Sequence, residues 1–165
     1  MTTNEALDFL RLHQPLPPSQ VISEELLGQF DEVRMYFAAH PDNRSVPLLL
    51  NAFGEGDGHG VYQLVENTIL CHPESVVIPA LKAGLECPHG SVRRWNAEIA
   101  ANYRCPELVP PLVELLKHGN IDERYSAIIA LGVIGTPEAK AALENSLSLE
   151  IELELKSAIR EALGC

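Results

Sequence analysis

The amino-acid sequence predicts an all-α fold, a stack of about four helical hairpins forming a solenoid, with a short capping helix at each end. Three observations predict it. A proline recurs at Pro41, Pro73, Pro106 and Pro137, at intervals of 32, 33 and 31 residues. A leucine follows each proline within six to eight residues, at Leu49, Leu81, Leu112 and Leu143. Only 5% of the residues are aromatic while Ala and Leu are plentiful, which suits helix-on-helix packing better than a β-sandwich. A period of this size means that each hairpin buries its apolar face against the next copy. The chain, 1–165, reads as one repeat domain, with copies at about 23–53, 60–86, 91–118 and 122–148.

Taken in order, Asn4 to His13 reads as a short opening helix, within an end segment 4–13. It is closed by Gln14-Pro15-Leu16-Pro17-Pro18, whose prolines cannot continue a helix. The first copy pairs a helix over 23–39, carrying Leu26, Leu27, Phe30, Val33 and Phe37, with one over 45–53 that holds Pro47 and Leu49. The second pairs 61–71 with 75–86, and the third 92–104 with 107–118; Pro79 and Pro110 occupy matching positions. The fourth copy, 122–134 and 138–147, is the clearest. Asp122 is the expected N-cap, its carboxylate accepting from the free N–H groups of the first turn. Ala127, Ala130, Leu131 and Ile134 then fall on one helical face. Gly135 supplies a left-handed cap, and Thr136-Pro137 opens the return helix. Thirty-one residues earlier, Arg93 aligns with Arg124, Asn96 with Ala127 and Ala100 with Leu131. Ala158 and Ala162 stand 31 residues after Ala127 and Leu131, so the end segment 151–163 reads as an unpaired first helix. The acidic run Glu150, Glu152, Glu154 fits a polar terminal cap.

The stretch DERYSAIIALGVIGTPEAKAAL, and less closely SVRRWNAEIAANYRCPELVPPLVELL, resembles HEAT-like repeats of the short bacterial kind first described in phycobilin lyases. The resemblance spans roughly residues 23–163 and is strongest over 91–163. The T-P-L-H-x-A signature of ankyrin repeats and the Trp, Leu-Gly, Tyr, Phe pattern of TPR repeats are absent. The resemblance implies that the second helix of each hairpin lines a concave binding face.

The charge balance narrows the function. Twenty-three acids against twelve bases give a net charge of −11, which disfavours nucleic acid as a partner, because phosphates need a basic footprint. Residues 1–57 hold nine acids and three bases, 58–120 six and five, and 121–165 eight and four. No run of 18 apolar residues suggests a membrane span, and the first residues lack the pattern of a secretory signal. Cys71, Cys87, Cys105 and Cys165 form no CxxC pair, so reduced thiols in a cytoplasmic monomer are the expectation.

Catalytic and metal signals are weak. His59-Gly60, His89-Gly90 and His118-Gly119 recur in the loops between copies. Each reads as a glycine with positive φ after a helix and a histidine near the carbonyl end of the dipole. Stacked repeats lie ~8–10 Å apart, too far for one ion to collect a histidine from each. Neither Cys71-His72 nor Cys87-Pro88-His89 belongs to a four-ligand set with usable spacing. Glu55-Gly56-Asp57-Gly58 lacks the ligand pattern of a calcium loop. Di-iron HEAT-like enzymes use His-Glu dipeptides, and none occurs here; HEAT-like DNA glycosylases use a basic concave face. No metal, no cofactor and no catalytic residue is therefore expected.

Binding is the function that remains. The candidate protein-binding residues are Asn51, Lys82, Glu86, Glu114, Lys117, Lys140 and Glu144 on the second helices and the loop residue Asp57. Trp95 is added because it aligns with polar Ser126, which reads either as partial exposure at an interface or as the filling of a local core gap. The expected partner is a basic protein. Small acidic proteins of this look are similar to immunity proteins, which sequester a cognate toxin such as a nuclease. The alternatives are a chromophore-lyase-like or chaperone-like enzyme, implied only by the family resemblance, and an assembly scaffold.

Overall fold

In the computed structural model, which describes residues 1–165, the chain is all-α, with ten α-helices, two 3-10 turns and no strand. The helices gather into two compact units, Met1–Ala80 and Leu81–Cys165.

The first unit holds α1 (Thr3–Leu12), α2 (Glu24–Ala39), α3 (Ser45–Leu50) and α4 (Tyr62–Ile69). The helix α5 (Glu74–Leu85) begins in it and ends in the second. Thr2 and Glu5 form a capping box at the start of α1, each satisfying a free N–H of the other. Ala6, Leu7 and Leu10 are then fully buried where α1 packs on α2 and α3. The helix α3 stops at Leu50 instead of 53. The chain beyond it runs beside the proline-rich segment: Leu16 N–H donates to the Ala52 carbonyl at 2.9 Å and Ser19 N–H to that of Glu55 at 2.8 Å. Ser19 Oγ also takes the Gly58 N–H at 2.9 Å. Gly54 is needed at this crossing, because a Cβ there would overlap the carbonyls of Leu16 and Pro17. Under it lies the fully buried Tyr62, with Phe30 and Phe53 edge-on at 6.0 and 5.5 Å between centroids.

His72, in the turn after α4, is 7% exposed. Its Nδ1 lies 3.1 Å from Asn43 Oδ1, which assigns that nitrogen the proton, and Nε2 is buried without a partner. Burial lowers its pKa from the usual 6.5, and the nearby Asp42 carboxylate opposes this only in part. With the folded pKa depressed, the unfolded chain binds the proton more readily, so stability present above pH 6.5 is lost as the pH falls toward the folded value. The urea midpoint should therefore drop between about pH 7 and pH 5, and His72→Gln should flatten that part of the profile.

The second unit contains α6 (Gly90–Ala100), α7 (Val109–His118), α8 (Ile121–Ile134), α9 (Pro137–Leu149) and α10 (Leu153–Leu163). At its centre α8 packs on the other four. Its N-cap is Asn120, not Asp122. The Asn120 side chain accepts the Glu123 N–H at 3.0 Å, and the Glu123 carboxylate returns to the Asn120 N–H at 2.7 Å, which leaves Asp122 inside the first turn. Gly135 ends α8 with φ 64° and Thr136 caps α9, whose first residue is Pro137. α6 ends at Ala100 and not at 104; a turn and the 3-10 segment Pro106–Leu108 carry the chain into α7. Pro110 and Pro111 sit in the first turn of α7, where a missing N–H breaks no helical bond. Gly132 lies so close to Ala162 that a Cβ would meet it, so small residues set the approach of α8 to α10.

The aligned arginines do the same job twice. Arg93 Nη1 donates to the carbonyls of Cys87 and Pro88, beyond the end of α5, while its Nη2 reaches the buried Glu123 carboxylate at 2.6 Å. Arg124 Nε donates to the Leu116 carbonyl near the end of α7, and its Nη2 pairs with Glu150 just before α10. Each arginine thus ties the end of one second helix to the start of the first helix in a later copy.

The histidine-glycine loops depart from the expected pattern. Only Gly60 has a positive φ, 88°, and His59 before it is itself left-handed at 50°. Gly119 is extended, and a Cβ on it would crowd the Leu115 carbonyl and the Glu123 side chain. Gly90 opens α6 with His89 as the N-cap residue, so His89 stands at an N–H end, whereas His118 lies in the last turn of α7.

Candidate protein-binding surface

In the second unit the two layers of helices offer different chemistry. The second-helix layer, α7, α9 and the end of α5, carries most of the sequence-derived candidates. Glu86, just past α5, and Glu114 on α7 line one cleft of about 400 Å³. Leu85, Pro111 and Leu115 supply its apolar lining, and Arg93, which is held by the buried Glu123, and His118 line it as well. Both carboxylate residues are exposed. Glu114 bonds the Lys117 ammonium at 2.8 Å, and that bond holds its carboxyl below the usual range. The cleft can accept the aliphatic stem of a lysine or arginine while two carboxylates meet its charged end.

The other candidates scatter. Lys82 lies 3.8 Å from Glu107, a loose surface pair. Lys140 and Glu144 are exposed on α9, one helical turn apart, and do not line the cleft. Asn51 and Asp57 belong to the first unit. Asn51 closes α3, its amide donating to the Pro47 carbonyl at 3.0 Å, and Asp57 caps a 3-10 turn by accepting the His59 N–H at 3.0 Å. Trp95 is not exposed. It is 5% accessible within α6, with the Arg94 guanidinium 5.1 Å from its ring centroid. The alignment misled because Ser126, its polar counterpart, is itself buried at 6%.

The net charge is unevenly held. Residues 1–80 carry eleven acids and three arginines, and residues 81–165 twelve acids and nine bases. All three arginines of the first unit pair with a nearby aspartate: Arg11 with Asp8 at 2.7 Å, Arg34 with Asp31 at 2.7 Å, and Arg44 with Asp42 at 2.6 Å. The Arg44 bonds bring the Asp42 pKa down to about 2. Eight carboxylates remain in that unit with no lysine or arginine left to offset them. Such a surplus attracts basic molecules over about a Debye length.

A feature that the sequence reading missed lies on the first-helix layer. Ile121, Tyr125, Ile129 and Val133 are partly exposed along α8 at intervals of four residues. The spacing was visible in the sequence, but a helix apolar on several faces reads as wholly buried.

No group of three or more His, Cys, Asp or Glu side chains is arranged to hold a metal ion. No helix is long and apolar enough to cross a membrane. A family model described as HEAT repeats matches residues 78–164. No curated protein matches the chain.

Proposed function

Because the chain belongs to the HEAT-repeat family, whose members are generally protein-binding scaffolds, we propose that it is a non-catalytic binding protein whose partner is basic. One observation carries the reading: Glu86 and Glu114, distant in sequence, line a single cleft with apolar walls on the second-helix layer. A lysine or arginine of the partner fills that cleft, its stem against Leu85 and Leu115 and its head between the carboxylates. The eight uncompensated carboxylates of the first unit add long-range attraction, which speeds encounter more than it tightens the final complex. A toxin neutralised by an acidic immunity protein is the most specific partner of this kind, and the net charge of −11 supports it.

Capture of partners from the source cells tests the reading. The retained protein should be basic, and Glu86→Lys with Glu114→Lys should release it while the far-UV helical signal stays unchanged. Retention of an acidic partner, or of a bilin with measurable turnover, would overturn the proposal.

A further inference from the structure

We propose that the exposed face of α8 is a second docking surface, and that its occupant is an amphipathic basic helix of another protein. This inference stands on the first-helix layer and does not depend on the cleft between Glu86 and Glu114. Ile121 is 49% exposed, Tyr125 42%, Ile129 37% and Val133 37%. They occupy successive turns of one helix, so they form a single row and not four isolated exposures. The helix α8 packs between α6 and α10, and a trough of about 370 Å³ follows its first half. Ile121, Tyr125 and Ile129 form its apolar floor, with Ser126 beside them.

The rim of the trough selects the occupant. Glu98 comes from α6, Asp122 from α8 and Glu154 from α10; the one cation there, Arg94, lies against the Trp95 ring. A second copy of this chain would bring the same three carboxylates against their counterparts, which costs affinity at an interface. Four side chains also fall short of the ~800 Å² a side that a stable dimer needs. They do match the three or four anchors, one per turn, with which an amphipathic helix binds an apolar surface. Lysines or arginines flanking such anchors would meet Glu98, Asp122 and Glu154. The row from 121 to 133 spans ~18 Å, the length of a helix of about twelve residues.

The test uses the full chain and two model helices. The first is a peptide of ~15 residues with leucines at every fourth position and lysines alongside; the second keeps the leucines and replaces the lysines by glutamates. Fluorescence anisotropy should show the Leu/Lys peptide binding at least about tenfold more tightly than the Leu/Glu peptide. Joint replacement Ile121→Ser, Tyr125→Ser and Ile129→Ser should weaken Leu/Lys binding about tenfold or more. Asp122→Lys with Glu154→Lys, which leaves the apolar row in place, should do the same with the far-UV helical signal unchanged, whereas Glu86→Lys with Glu114→Lys should weaken it far less. Equal binding of the two peptides, no binding of either, or full binding by the serine or rim variant would overturn the proposal. Loss through the Glu86 and Glu114 reversals alone would assign the peptide to the other layer. Self-association abolished by the serine replacements would make a second copy the occupant; either result refutes the inference.

Discussion

Leu131→Ala is expected to destabilise the second unit by about 2–5 kcal/mol, the cost of lost burial plus the cavity left behind. Leu131 is fully buried on α8, the helix that packs on α6, α7, α9 and α10. Four helices press on α8, so no single one can move in to close the cavity without disturbing the rest. Marginal stability of roughly 0.05–0.15 kcal/mol per residue makes such a loss a large fraction of what an 85-residue unit holds. Hydrogen exchange should show faster amide opening from α6 to α10, because each repeat relies on its neighbours. Unchanged protection in α8 would contradict this account of the core.

Glu150→Ala is expected to cost about 2–4 kcal/mol, below the 3–5 kcal/mol of a fully buried pair because Arg124 keeps some contact with water. The Glu150 side chain is 2% exposed and that of Arg124 22%. Three groups lose their partner at once. Arg124 Nη2 loses its carboxylate, and the N–H groups of Ile151 and Glu152, at 2.9 and 3.0 Å from Oε1, lose their acceptor at the start of α10. Burial pushes the Glu150 carboxyl up, but those two N–H bonds and Arg124 outweigh it, so its pKa lies below the usual 4.5. Stability from this site is therefore present above about pH 4.5 and lost as the pH falls through the lower folded value. Urea titrations at pH 7 and pH 3 should show a larger drop for the native chain than for Glu150→Ala. Glu150→Gln should retain the N–H bonds less well and lose the charge, and should fall between the two.

The repeat architecture was legible because it is local and periodic. Gly135 and Thr136-Pro137 stand at a fixed offset from an apolar stripe, and that punctuation alone places α8 and α9. The arginine ties were only half legible. Arg93 and Arg124 align at the repeat period, but their partners Glu123 and Glu150 lie 27 residues apart, so the pairing repeats in space without repeating in register. The early end of α3 was hidden because it depends on Ser19 and Leu16, more than thirty residues away. Of the candidate surface, Glu86 and Glu114 could be chosen from charge and helix position, but their meeting at one cleft is a property of the packing of α5 and α7. Trp95 and Ser126 show the opposite error: polarity was read as exposure, and both side chains are buried. The uncovered row on α8 was illegible for a related reason, since the pattern lists apolar positions and only packing decides which row has a neighbour.

The proposed binding of a basic partner rests on the carboxylates of the second-helix cleft, Glu86 and Glu114. The most direct measurement is the association rate of that partner, captured from the source cells, with the native chain and with the Glu86→Lys, Glu114→Lys chain at salt from about 20 to about 200 mM. The native chain should associate at least about tenfold faster at low salt, and the two rates should converge as screening shortens the reach of the charges. Rates that are equal in the two chains and independent of salt would contradict the claim.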